Sequence, residues 1–177
     1  MTFLKPNEAL RSLGRIEGFS VGDFGSGVGY YSLLLAESVA PWGRVYAIDI
    51  QQDLIEALYN KAREEKKEDR LRIIWGDIDE EKGTGLPDAT LDAGVLINTL
   101  FMLEKKEKAA TEIGRVLKKG AKLLVIDWAD SFGGAGPKKE SLISKEEAKH
   151  IFEEAGFFYE KDISAGAHHW GMLVRKT

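Results

Sequence analysis

Residues 21–31, VGDFGSGVGYY, constrain this chain more than any other stretch. An apolar run ends in an acid, three glycines follow at alternate positions, and a helix-compatible segment begins. Glycine at 25, 27 and 29 lets the backbone turn tightly and brings its N–H groups up to whatever sits at the helix N-terminus. A strand that enters a helix across such a loop opens a βαβ unit, and the remaining sequence keeps the same rhythm. Val-, Ile- and Leu-rich runs at 19–24, 44–50, 71–76, 91–98 and 122–128 predict five buried parallel strands. Amphipathic runs at 30–39, 53–66 and 105–117 predict the crossover helices, and a short helix over 7–13 precedes them, ending at Gly14. Ser144 and Glu147 have capping-box spacing, so another helix is expected over 145–155, stopping at Gly156. Beyond it, runs at 157–164 and 170–175 lie too close for a crossover and predict an antiparallel hairpin. The expected fold is an α/β, Rossmann-like, doubly wound sheet of seven mostly parallel strands, in a single domain over 1–177 with no internal repeat.

Composition narrows the function. Lys and Arg total 25 against 29 Asp and Glu, a net charge of −4 with no basic stretch, so nucleic acid is a disfavoured partner. Cysteine is absent, which removes disulfides, thiolate metal sites and cysteine nucleophiles. No spacing among the three histidines suggests a metal site, and His150 falls on a charged, solvent-facing helix surface. Apolar runs such as 123–126 are far shorter than a membrane span, and no signal-like segment opens the chain, so a cytoplasmic location is the default expectation.

The glycine loop is not the dinucleotide fingerprint. G-x-G-x-x-G would require glycine at position 30, where Tyr30 stands, and the pattern is instead D-x-G-x-G-x-G. The second strand ends in Asp49, 20 residues after Gly29, where a carboxylate can accept from both ribose hydroxyls or cap the next helix. The third ends in Asp77, which can also cap its own loop. Asp23, Asp49 and Asp77 close three successive strands at one end of the sheet, and open α/β sheets bind ligands in that crevice.

In this set of motifs the sequence resembles the class I S-adenosylmethionine-dependent methyltransferases. The resemblance runs from about residue 7 to residue 175 and includes the stretch 112–128, EIGRVLKKGAKLLVIDW, which resembles that family's helix, turn and fifth strand. It implies that Gly25, Ser26, Gly27, Gly29 and Tyr30 cradle the methionine part of S-adenosylmethionine, with Asp23 near its ammonium group. It implies further that Asp49 holds the ribose, that Ile50 packs on the adenine, and that Gly76, Asp77 and Ile78 meet the adenine edge. Asn98, at the end of the fourth strand, falls where the family places residues facing the methyl group, although it could equally cap the following helix. The sequence there reads Asn98, Thr99, Leu100, Phe101 and departs from the D/N-P-P-Y/F signature of members that methylate amino groups of DNA or glutamine.

The acceptor side is less defined. His168 and His169, in the last hairpin, are candidates for a general base because imidazole titrates near neutrality, and hairpin surface residues as the plainer alternative. The glycine-rich run 129–139, ADSFGGAGPKK, suits a lid, with Asp127 and Asp130 in reach of an acceptor. Phe3 and Leu4 are expected as a flap, and the segment FLKP as a point of peripheral membrane contact. A small-molecule acceptor is the first expectation and a lipid or quinone headgroup the second. A nicotinamide oxidoreductase and a non-catalytic cofactor-binding subunit are the readings from other classes. Oligomeric state is not legible.

Overall fold

The computed structural model describes residues 5–132 and 136–177. The seven strands are β1 Ser20–Phe24, β2 Arg44–Asp49, β3 Leu71–Trp75, β4 Leu91–Ile97, β5 Leu117–Trp128, β6 Phe157–Asp162 and β7 His169–Lys176. They form one sheet in the order β3-β2-β1-β4-β5-β7-β6. β7 lies antiparallel between β5 and β6, and the other pairings are parallel. The expected mixed, mostly parallel sheet with a C-terminal hairpin is the one found.

Among the described residues five α-helices cover it: α1 Pro6–Leu10, α2 Tyr30–Ser38, α3 Gln52–Glu64, α4 Lys106–Val116 and α5 Lys145–Glu154. Apolar residues of α1, α2 and α3 pack into one core with Val21, Val95, Leu124 and Ile126. Those of α4 and α5 pack into another with Phe24, Leu96, Leu123 and Val125. The run 123–126 therefore sends its side chains alternately to the two faces, which is why the sequence shows an unbroken apolar stretch instead of a polar alternation. Gly22 and Gly94 are adjacent partners in β1 and β4, and a Cβ on either would strike the Phe24 ring. The aromatic ring fills the space their missing side chains leave.

Two of the boundary differences from the sequence reading have a clear structural cause. β5 begins at Leu117, five residues before the predicted strand, because Leu117 pairs with Leu91 before the register jumps to Lys122 opposite Ala93. The intervening turn, with Gly120 at φ +80°, bulges out at the end of the sheet away from the glycine loop. In the hairpin, His169 belongs to β7 instead of the connecting loop, since it pairs with Trp128. The helix start at Ser144 behaves as predicted, its hydroxyl accepting the Glu147 N–H at 3.1 Å. His150 is exposed, beside Glu154 at 3.4 Å.

Candidate active site

The glycine loop closes on β2. The N–H groups of Gly25 and Ser26 donate to the Ile48 carbonyl at 2.8 and 3.0 Å, and that of Gly27 donates to Asp49 Oδ2 at 2.8 Å. Gly25, Gly27 and Gly29 all have positive φ, at 76°, 55° and 84°. A Cβ on Gly25 would collide with Thr99 and one on Gly29 with Leu58, whereas Gly27 faces open space. Two of the three glycines are thus fixed by packing and conformation together, and the middle one leaves its backbone accessible.

That space is a cavity of about 670 Å³ at the C-terminal ends of β1, β2, β3 and β4, a usual size for a small-ligand site. Gly25, Ser26, Gly27, Tyr30, Asp49, Ile50, Gly76, Asp77, Ile78 and Asn98 all line it. Asp49 Oδ1 also accepts the Gln51 N–H at 2.9 Å, so both of its oxygens are tied to backbone. Ile50 is exposed on the rim, and the Trp75 indole N–H donates to its carbonyl at 2.8 Å. Asp77 Oδ1 accepts the Asp79 N–H at 2.9 Å, so it caps its loop and lines the cavity at once. Tyr30 stands exposed at the mouth, edge-to-face with Tyr31 at 5.4 Å, while Tyr31 packs on the core. Burial, and then the neighbouring Tyr30 and Asp23, push the Tyr31 phenol pKa upward.

Two predicted residues stand behind the wall. Gly29 packs on Leu58. Asp23 is buried beneath the loop, where the Ser32 hydroxyl donates to its Oδ2 at 2.5 Å. Burial raises its pKa to about 6; the Ser32 hydrogen bond opposes that rise and nearby Asp49 adds to it. Asn98 takes a left-handed backbone, φ 54°, with its N–H on the Ile126 carbonyl, and does not cap the following helix. That helix, α4, is served instead by Asp79, whose Oδ2 accepts the N–H groups of Glu104 and Lys105 at 2.9 and 3.4 Å. Asp79 lines the cavity and was missed in the sequence. The acid two residues beyond Asp77 was its only signal.

The lining fits a cationic, polyhydroxyl ligand. Ser26 Oγ, Asp79 Oδ1 and Asn98 Oδ1 are buried with no hydrogen-bond partner among the described residues, and buried polar atoms of this kind ordinarily have one. Asp49, Asp77, Asp79, Glu80 and Glu104 face the cavity against a single cation, Lys105. S-adenosylmethionine carries a sulfonium and an ammonium, whereas a dinucleotide brings an anionic pyrophosphate, so the charge selects the former. Asp49 would hold the ribose, and Asp77 or Asp79 the adenine amine.

The candidate bases do not line this cavity. They stand further along the same edge of the sheet, where β5 ends and β7 begins. His169 tilts against Trp128 with ring centroids 4.2 Å apart, and its Nε2 is buried without a partner among the described residues. Burial, followed by the charge of His168, lowers its pKa. His168 Nδ1 lies 2.9 and 3.0 Å from the two Asp130 oxygens, and the ring stacks on Phe132 at 4.0 Å. Asp127, expected to reach the acceptor, is instead wholly buried. It accepts the N–H groups of Phe101 and Trp128 at 3.1 and 2.7 Å, holding the turn Leu100–Met102 that borders the cavity. Burial raises its pKa to about 6 against those hydrogen bonds. The centre of the expected lid, residues 133–135, and the expected flap, Phe3 and Leu4, lie outside the described residues.

Comparison with known proteins agrees with this geometry. Residues 22–125 match the methyltransferase domain family, so the chain belongs to that family. It is a member of the small class I S-adenosylmethionine-dependent methyltransferases. A SAM-dependent methyltransferase from Aquifex aeolicus is 28% identical, with a TM-score of 0.90 covering 99% of this chain and 91% of that one. The [4+2]-cyclase SpnF shares the fold at 17% identity, with a TM-score of 0.83 over 97% and 80% of the two chains. A demethylmenaquinone methyltransferase from Lactococcus lactis is 28% identical over 123 residues, 68% of this chain. The match spans 46% of that relative, so the chain accounts for about half its length.

Proposed function

We propose that this chain transfers the methyl group of S-adenosylmethionine to a small-molecule acceptor carrying an ionisable hydroxyl, bound over the ends of β4 and β5 and the start of β7. The observation that carries the reading is the cavity beside the glycine loop, lined by five carboxylates and one lysine, with orphaned acceptors on Ser26, Asp79 and Asn98. When bound, S-adenosylmethionine supplies a methyl group already activated on a sulfonium. The protein's contribution is alignment and proton removal. Asn98 closes the cavity on the side nearest the acceptor, and the Leu100–Met102 turn, held by Asp127, fixes that wall. His168, which Asp130 holds through Nδ1 at 2.9 and 3.0 Å, would be the group that takes the acceptor's proton during transfer. His169, tilted against Trp128, gives the acceptor an aromatic wall.

A second reading places the hydroxyl on a quinone-like headgroup. It is supported by the demethylmenaquinone methyltransferase relative and by the exposed apolar rim of Val28, Tyr30, Ile50, Trp75 and Met102. Among the described residues no helix is long and apolar enough to cross a membrane, so such a headgroup would be met from outside the bilayer.

The test is calorimetric titration with S-adenosylmethionine, S-adenosylhomocysteine and NAD, followed by methyl-transfer assays on small phenols, alcohols and dihydroxynaphthalenes. Binding of the first two without NAD, and turnover on a hydroxylated acceptor, is the expected result. His168→Ala and Asp130→Asn should then lower turnover by about 10²-fold or more with cofactor affinity unchanged. NAD binding alone would overturn the cofactor reading. Cofactor binding with no transfer to any acceptor would favour a non-catalytic subunit, and full activity in both variants would remove the base.

A further inference from the structure

At the opposite end of the sheet lies a second cavity, of about 420 Å³, with inverted charge. Arg15, Lys118, Lys119, Lys122 and Arg175 line it, against one carboxylate, Asp92. Both oxygens of Asp92 are already engaged, one by the Ser20 N–H at 2.8 Å and the other by Lys118 at 2.6 Å. Two arginines are neutralised from outside the cavity, Arg15 by Glu17 at 2.5 Å and Arg175 by Glu160 at 2.7 Å. Two ammonium groups face no carboxylate. Lys122 reaches only the Leu13 carbonyl, at 3.4 Å, and Lys119 has no hydrogen bond or ion pair among the described residues. Leu13, Ala93 and the partly exposed ring of Phe19 supply an apolar wall beside them.

A plainer cause accounts for part of this. The C-terminus of α4 precedes Lys118 and Lys119, and cations are favoured at helix C-termini. That effect fades within the last turn, however, and Arg15, Lys122 and Arg175 come from other segments. Like charges gathered in a concavity of a chain whose net charge is −4 repel one another unless something anionic joins them.

We infer that this cavity binds a small phosphate-bearing molecule, its phosphate between Lys119 and Lys122 and an apolar or ring portion against Phe19. The volume exceeds what a lone phosphate needs and suits a phosphorylated metabolite. Because the site lies at the far end of the strands from the glycine loop, it is independent of the methyl-transfer reading.

Amide NMR of the full chain, titrated with inorganic phosphate, pyrophosphate and phenyl phosphate, tests this. Saturable shifts are expected at Gly14, Phe19, Lys119 and Gly120, with Gly27 and Asp49 unmoved. Phenyl phosphate should bind more tightly than phosphate, and binding should weaken as salt is raised beyond about 0.15 M. Lys119→Ala, at an exposed position, should weaken binding by about threefold to fivefold, the size of one exposed charge contact. Lys122→Ala should weaken it by at least as much. The inference is overturned if no amide saturates, if the shifts fall at the glycine loop, or if Lys119→Ala binds as well as the parent. A short RNA that moves the same amides at far lower concentration would also overturn it, since the surface would then be a nucleic-acid contact.

Discussion

The two ends of this sheet carry cavities of opposite sign, and they are built in different ways. At the C-terminal ends of the strands, five carboxylates and one lysine surround a loop of three positive-φ glycines. At the other end, five cations and one carboxylate surround a bulge after α4. The first cavity is made largely of backbone and short side chains held by hydrogen bonds, as with Asp49 between Gly27 and Gln51. The second is made of long side chains, several of them paired outward. Helix dipoles point the same way, with N-termini toward the acidic end and C-termini toward the basic end, so each cavity complements the field of the helices around it. Complementing a dipole and awaiting a ligand are nevertheless different roles, and substitutions separate them.

The largest effect should come from an acid that belongs to neither cavity. Glu112 is buried in α4 and accepts from the Thr84 hydroxyl at 2.6 Å, the Lys82 N–H at 3.0 Å and Arg115 at 2.7 Å. Burial alone would raise its pKa, but the bonds from Arg115 and Thr84 outweigh burial and hold it at about 2. Its folded value lies below its unfolded one, so its stabilisation is present above roughly pH 4.5 and is lost as pH falls toward 2. Glu112→Ala leaves the mostly buried Arg115 guanidinium with Asp88 alone and takes the acceptor from the Thr84 hydroxyl and the Lys82 N–H, and should cost about 3–5 kcal/mol of stability, read by urea denaturation at pH 7. Next comes Gly29→Ala, which combines a strained left-handed φ with collision against fully buried Leu58, for about 2–4 kcal/mol. If Gly29→Ala melts like the parent, the loop tolerates side chains and its glycine spacing has a different cause.

Asp49→Ala should act mainly on the ligand. With Asp49 as the proposed acceptor for the ribose hydroxyls, its removal should weaken S-adenosylmethionine binding by about 1–3 kcal/mol, measured by titration calorimetry. Fold stability should change far less than in Glu112→Ala, and phosphate binding at the basic end should not change. Equal losses of stability in the two variants would erase the distinction between acids that hold structure and acids that meet ligand.

The same contrast explains what was legible in the sequence. The acidic cavity draws on glycines and on acids at the ends of strands, so Gly25, Gly27, Asp49 and Asp77 could be found in the sequence. Asp79 escaped because it reaches the cavity from a loop whose course depends on α4. Asp23 was found, but its depth was not, since which side of β1 it faces depends on the packing of α2. Asp127 was misplaced because its burial depends on the turn at 100–102, which no local pattern announces. The basic cavity was invisible, since its cations come from residues 15, 118–122 and 175, which only the folded sheet brings together. The overall charge count pointed the other way.

The smallest predicted effect tests whether Asp23, though behind the wall, still senses the ligand. Its pKa is raised to about 6 by burial, so near that pH its carboxyl is partly protonated in the free protein. A ligand ammonium brought to the glycine loop favours the ionised form, so binding at pH 6 should release a fraction of a proton. Affinity should therefore rise with pH between about 5 and 7, by less than tenfold, since one unit of pKa shift corresponds to about 1.4 kcal/mol. Calorimetry in buffers of different ionisation enthalpy measures the release directly. Asp23→Asn, which keeps an oxygen for Ser32, should abolish both the proton release and the pH dependence. If the parent releases no proton at pH 6, the ammonium does not lie near Asp23, and that acid serves α2 alone through its bond to Ser32.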